Sequence, residues 1–143
     1  WVAKKMPIVL PLHPRTKKNI DMFELSTYLE NENIIITDPL WYIDFISLLT
    51  KSNVVLTDSW WIQEETTYLQ IPCLTMRKST ERPVTCDLGT NTLVGDDFEM
   101  IHDCLDAIVW WTYKTWSIPH TWDWNTAWRI IAEILNDNAH IWK

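Results

Sequence analysis

Basic and hydroxyl groups suited to holding an anion recur along the chain, with carboxylates among them. They are His13 and Arg15 in HPRT, Asp38 before Pro39, Asp58 and Ser59 in TDS, Glu64 and Glu65 in QEE, and Arg77 and Arg82 on either side of KSTE. Arginine makes forked, charge-assisted bonds to phosphate oxygens, and the start of a helix offers backbone N–H groups to an anion without basic side chains. Two arginines, a histidine, a hydroxyl and a helix start on one edge are what a diphosphate requires. A carboxylate one turn into the helix suits its dipole and can also accept hydrogen bonds from ribose hydroxyls. Each residue has a plainer reading too. His13 is then a loop histidine, Asp58 and Ser59 cap a helix, and Glu81-Arg82 is a surface ion pair.

The elements that must position these groups alternate. Ile8–Leu12 is an apolar strand, Thr16 caps a helix running to about Leu29, and Asn33–Thr37 is a second strand. Tyr42–Leu49 has helical spacing. The stretch Asn53–Glu65 reads as a buried strand (Val54–Thr57), a tight turn and the opening of a helix reaching Leu69, with Asp58 or Ser59 as the cap. Pro72–Met76 and Thr92–Val94 follow as strands. Phe98–Trp111 is an amphipathic helix with Met100, Ile101, Leu105, Ile108 and Val109 on one face, and Thr126–Leu135 a last helix. Strands separated by helices imply an α/β fold, a Rossmann-like parallel sheet with helices on both faces. In such a sheet ligands bind outside the carboxyl ends of the strands, which is where the groups above fall.

Composition narrows the function. The length of 143 residues suits one domain or one lobe of a larger protein, and the hydrophobic content of 47% that of a globular one. A net charge of −7 argues against nucleic acid as a partner, so any phosphate would be held by a local site. No stretch approaches a membrane span, and the first residues do not form a signal peptide. Cys73, Cys86 and Cys104 have no metal spacing and suit reduced thiols in a cytoplasmic protein. There are 11 tryptophans and 2 glycines, where average usage would give roughly ten glycines.

Five segments carry a resemblance: His13-Pro14-Arg15-Thr16; Asp38-Pro39-Leu40-x-Tyr42-x-x-Phe45; Leu56-Thr57-Asp58-Ser59-x-x-Ile62-Gln63-Glu64-Glu65; Arg77-x-x-Thr80-Glu81-Arg82-Pro83; and Gly89-Thr90-Asn91. In order and spacing they resemble the carboxyl-terminal half of the non-hydrolysing UDP-N-acetylglucosamine 2-epimerases. The resemblance implies that residues 1–143 form a single UDP-binding Rossmann-like lobe, the second of a two-domain GT-B type fold. It implies a catalytic role for His13. It implies UDP binding by Phe45 (uracil), Ser59, Trp60 and Trp61 (diphosphate), Glu65 (ribose) and Arg82 (phosphate). The implied reaction inverts C2 of UDP-N-acetylglucosamine by eliminating and re-adding UDP, with no cofactor or metal. The implied partners are the UDP-sugar, a first lobe that supplies most of the acid and base carboxylates, and a second copy in a homodimer. The chain alone is then expected to be inactive.

One feature departs from the pattern. The family has Asp-Ser-Gly-Gly where this chain has Asp58-Ser59-Trp60-Trp61, and Pro-x-Gly-Tyr where it has Pro39-Leu40-Trp41-Tyr42. Trp122-Asp123-Trp124 stands for Trp-Asp-Gly. Indoles in the turn are expected to strain it and to fill the anion site, so the alternative is an α/β domain that keeps the scaffold without UDP.

Overall fold

A computed structural model describes residues 2–123 and 125–141, the side chains of 137–141 excepted. Trp124, one of the tryptophans at a family glycine position, lies outside the described residues. The chain divides into two compact units, Trp1–Leu48 and Leu49–Lys143.

In the first unit, β1 (Ile8–Pro11) and β2 (Ile34–Thr37) form a parallel ladder from Ile8 opposite Ile34 to Pro11 opposite Thr37. Between them lies α1 (Pro14–Met22). Proline suits the first position of a helix and holds the preceding residue extended, and His13 is extended at φ −64, ψ 141. Its Nδ1 accepts the N–H of Arg15 at 3.2 Å, so the cap is His13 and not Thr16. The helix also ends earlier than Leu29. Glu24 turns left-handed at φ 54 and the N–H of Leu25 returns to the carbonyl of Ile20, which closes the helix; Ser26–Leu29 is a separate 3-10 turn. The weak apolar stripe beyond Ile20 gives no reason to continue. Helix α2 (Tyr42–Leu49) matches its expected span.

The second unit holds a three-stranded parallel sheet in the order β3 (Val55–Thr57), β4 (Cys73–Thr75), β5 (Asn91–Leu93). The described strands thus pair as two ladders, one in each unit, where the sequence suggests one sheet. Parallel neighbours need crossovers, and helices supply them. Helix α3 (Trp61–Leu69) joins β3 to β4, and α4 (Pro83–Asp87) lies between β4 and β5. The latter stands where the sequence reading gives no element between the strands at Pro72–Met76 and Thr92–Val94; Pro83 at its first position is the signal for it. In α5 (Phe98–Val109), Asp97 caps the amide of Met100 at 2.9 Å and Ile101, Leu105 and Ile108 are buried, while Met100 and Val109 are exposed. The last helix, α6, spans Thr126–Ile141.

All three residues of β4 are buried, and around them the core is unusually polar: Gln63, Thr66, Thr67, Thr85, Thr90 and Asn91 are fully buried. Buried polar groups need partners. Asn91 accepts from the Thr75 hydroxyl at 2.6 Å and donates to Thr85 Oγ1 at 3.3 Å, and Thr66 donates to the Ile62 carbonyl at 2.8 Å. Lys114 reaches the carbonyls of Cys86 and Asn91 at 2.9 and 2.5 Å. The turn from α4 into β5 passes so close to α3 that a Cβ on Gly89 would lie 2.4 Å from Thr67 Oγ1 and 2.6 Å from the Thr85 carbonyl. Cys73, Cys86 and Cys104 are free thiols, and no described helix is long and apolar enough to cross a membrane.

Candidate functional site

The second unit carries the denser cluster of chemically capable groups, at the carboxyl end of β3. There the hydroxyl of Thr57 accepts the N–H of Ser59 at 3.0 Å, turning the chain out of the strand. Trp60 follows in right-handed conformation, φ −76, ψ −24, and α3 begins at Trp61 with no side-chain cap. Two expectations are corrected here. Asp58 and Ser59 do not cap the helix, and the tryptophans cause no left-handed strain, because the turn uses dihedrals open to any L-residue. The uncapped first turn leaves backbone donors for an anion. What the indoles change is access. Their rings stack at 4.3 Å between centroids, with Trp61 largely exposed.

Arg82 stands against this helix start. Its guanidinium carbon lies 5.4 Å from the Trp60 ring centre, and its Nε is 3.1 Å from Glu64 Oε1. At that distance the charges attract, yet the buried Nε–H has no hydrogen-bond acceptor among the described residues, so the pair is an ion contact with a donor to spare. Both side chains are more than a third exposed, which keeps the attraction weak in water.

Beside this cluster a cavity of about 410 Å³ is lined by Glu64, Glu65, Tyr68, Trp122 and Asp123. Arg129 Nη1 donates to Asp123 Oδ1 at 2.7 Å, and the Asn125 amide adds a bond at 2.9 Å. These contacts, the Arg129 bond foremost, hold the Asp123 carboxyl below its ordinary value, so it stays ionised. The cavity therefore offers carboxylate acceptors and aromatic surface, suited to a polyhydroxylated ring. The chain's helical periodicity could have shown Tyr68, which lies one turn after Glu64 and Glu65. Asp123 had no periodic signal, because the segment before α6 is irregular; its signal was the match of Trp122-Asp123 to the family's Trp-Asp-Gly.

Arg77 lines a different cavity of about 440 Å³, with Met76, Lys78, Ser79, Gly95 and Asp96, and Lys78 pairs with Asp96 at 3.4 Å. The structure therefore brings Trp60, Trp61, Glu64 and Arg82 together, with Ser59 adjoining in sequence and Glu65 in the neighbouring cavity, and sets Arg77 apart. His13, Arg15, Asp38 and Phe45 belong to the first unit. His13 is exposed there, with its Nδ1 turned to the Arg15 N–H. Phe45 is half-buried in α2. Among the described residues no group of three or more His, Cys, Asp or Glu side chains is placed to hold a metal ion.

Comparison with known proteins agrees with this arrangement of strands and helices. The family model described as UDP-N-acetylglucosamine 2-epimerase matches residues 2–135. The UDP-N-acetylglucosamine 2-epimerase of Methanococcus maripaludis is 41% identical over 103 residues, covering 71% of this chain and 28% of the relative. That of Neisseria meningitidis serogroup A is 34% identical over 145 residues, covering 96% of this chain and 38% of the relative. Among solved structures, the Methanocaldococcus jannaschii enzyme in complex with UDP-GlcNAc and UDP superposes with a TM-score of 0.75 at 34% identity. It covers 91% of this chain and 35% of that one. The Neisseria meningitidis enzyme bound to UDP-GlcNAc gives 0.70 at 32% identity, covering 95% and 38%. The chain thus spans well under half the length of these relatives. The chain belongs to the UDP-N-acetylglucosamine 2-epimerase family, and its fold is the α/β, GT-B type of those enzymes.

Proposed function

We propose that this chain is the UDP-binding, carboxyl-terminal lobe of a cytoplasmic UDP-N-acetylglucosamine 2-epimerase. The observation that carries the reading is Arg82 beside the uncapped start of α3, with its buried Nε–H free of an acceptor among the described residues. In the family reaction UDP departs from C1, C2 loses its proton, and UDP returns after protonation of the other face. A lobe that holds the departing diphosphate stabilises charge as it develops, which is catalysis as well as binding. Arg82, the Ser59 hydroxyl and the first N–H groups of α3 would take the phosphates, and Glu65 the ribose. His13 would take a catalytic part and Phe45 the uracil. The carboxylates that move the C2 proton belong to a first lobe, so this chain by itself is proposed to bind without epimerising, and the working assembly is a homodimer of two-lobed subunits.

Calorimetric titration with UDP tests this. Saturable binding weakened at least tenfold, about 1.4 kcal/mol, by Arg82→Ala is expected. A second reading has its own observation. Trp60 and Glu64 already engage Arg82, which suits a scaffold that has lost its ligand, and absence of UDP binding would favour it.

A further inference from the structure

We propose that Gln63, which has no assigned role, is a positioning residue for Arg82; its functional consequence rests on the diphosphate reading of Arg82 above. Gln63 lies in the first turn of α3 and is fully buried. Its Oε1 accepts the Thr80 hydroxyl at 2.6 Å and lies 3.5 Å from that of Thr85. Those two hydroxyls grip Arg82 from both sides. Thr80 Oγ1 accepts the Arg82 N–H at 2.9 Å, and Thr85 Oγ1 donates to the Arg82 carbonyl at 2.7 Å. The one proton of Thr85 goes to the Arg82 carbonyl, so the amide oxygen on α3 stands behind the Thr80 bond to the arginine N–H and lies beside the hydroxyl that holds its carbonyl. Thr85 is fixed in turn to the sheet, through Asn91 Nδ2 at 3.3 Å and the Thr75 bond to Asn91 Oδ1.

The same helix presents the free N–H groups at its start and carries Glu64 and Glu65. Gln63 thus sets the arginine in register with the helix start, so that one diphosphate can meet both. Space-filling alone does not explain a glutamine here. Its Nε2 is buried without a partner among the described residues, a cost that an apolar side chain of similar volume would avoid. A misplacement near 1 Å is enough to lose on the order of a hundredfold in a positioned interaction.

The test uses Gln63→Met, which keeps volume and removes the acceptor, and Thr80→Val, which cuts the same link from the other end. UDP affinity is read by calorimetry, and protection of the Arg82 amide by hydrogen exchange. Gln63→Met is expected to raise the Kd for UDP about tenfold and to speed Arg82 amide exchange by a similar factor, while the amides of β4 keep their protection. Thr80→Val is expected to raise the Kd as much, and the double variant no further. Unchanged Arg82 exchange in Gln63→Met would overturn the proposal. So would an unchanged Kd in either variant of a protein that binds UDP, and Thr80→Val gives that answer even where Gln63→Met does not fold. Faster exchange in a protein that never bound UDP would sink the diphosphate reading and leave the link between Gln63 and Arg82 standing.

Discussion

The guanidinium of Arg82 is held 5.4 Å from the centre of the Trp60 ring and in ion contact with Glu64, so the cation proposed for the diphosphate is already shared by two side chains. A diphosphate must compete with the carboxylate for the same charge. Glu64→Gln is expected to tighten UDP binding by a few-fold at low salt, with the gain shrinking as salt rises, as for a partly exposed pair. Calorimetry across a salt series reads this, and weaker binding in the variant would mean that Glu64 holds Arg82 in its productive position.

Replacing Trp60 with glycine tests the indole in the same way. The ring covers Arg82 and stacks on Trp61 at the mouth of the helix start. Trp60→Gly is expected to free one backbone bond to phosphate, worth about 1.5–3 kcal/mol where the acceptor is charged, or roughly ten- to a hundredfold in Kd. An unchanged Kd would show that the phosphate never reaches this turn.

Gly89 sets the spacing between the α4 to β5 turn and α3. A methyl group there would press on Thr67 and on the Thr85 carbonyl, and the second neighbour is backbone that cannot swing away. Gly89→Ala is expected to cost about 1–3 kcal/mol, read from the urea midpoint. Since Thr85 also holds the Arg82 carbonyl, UDP affinity should fall with it.

Alkaline stability follows from buried acids. Burial is the main cause that raises the thiols of Cys73 and Cys104 above their ordinary 9.0 and the phenol of Tyr113 above its ordinary 10.0. Below pH 9.0 their contribution is whole. Above it the unfolded chain sheds protons that the folded chain keeps, so stability falls with rising pH until the folded groups ionise too. Lys114 runs the other way. Burial lowers it from 10.5, so the folded chain loses that proton first and the penalty on its charged form is relieved as pH climbs. Tyr113 is the most strongly shifted of the four and tips the balance, so the urea midpoint should fall at alkaline pH, less steeply in Tyr113→Phe.

Much of this was legible in the residues. Val55–Thr57, Tyr42–Leu49 and Ile101, Leu105 and Ile108 follow directly from apolar spacing, whereas the helix starts at Pro14 and Pro83 differ from the reading, which caps the first helix at Thr16 and places none at Pro83. The resemblance at Asp58-Ser59 and Thr80-Glu81-Arg82-Pro83 led to the family. What could not be read was set by contacts distant in sequence. Whether Asp58 caps α3 depends on where the Thr57 hydroxyl turns the chain, and the Arg82 position depends on Gln63, 17 residues from Thr80 with no periodic signal between them. The end of α3 at Leu69 is as the sequence suggests, but the left-handed closures at Glu24, Gln70 and Trp111 were hidden, because such closures are announced by glycine and none stands there.

Trp111 shows this most sharply. It closes α5 at φ 58 with its N–H on the Ile108 carbonyl, and its side chain is 93% exposed, so it lends little packing in return. Trp111→Gly is expected to stabilise the protein by about 1 kcal/mol, seen as a rise in Tm. The seat also bears on how the gene is read. The codon UGA specifies tryptophan in some genetic codes and glycine in others, and a gene of the second kind read by the first puts indoles into glycine seats. Peptide mass mapping of the protein made by its own host separates the two, with glycine at positions 60, 61 and 111 marking one code and tryptophan the other.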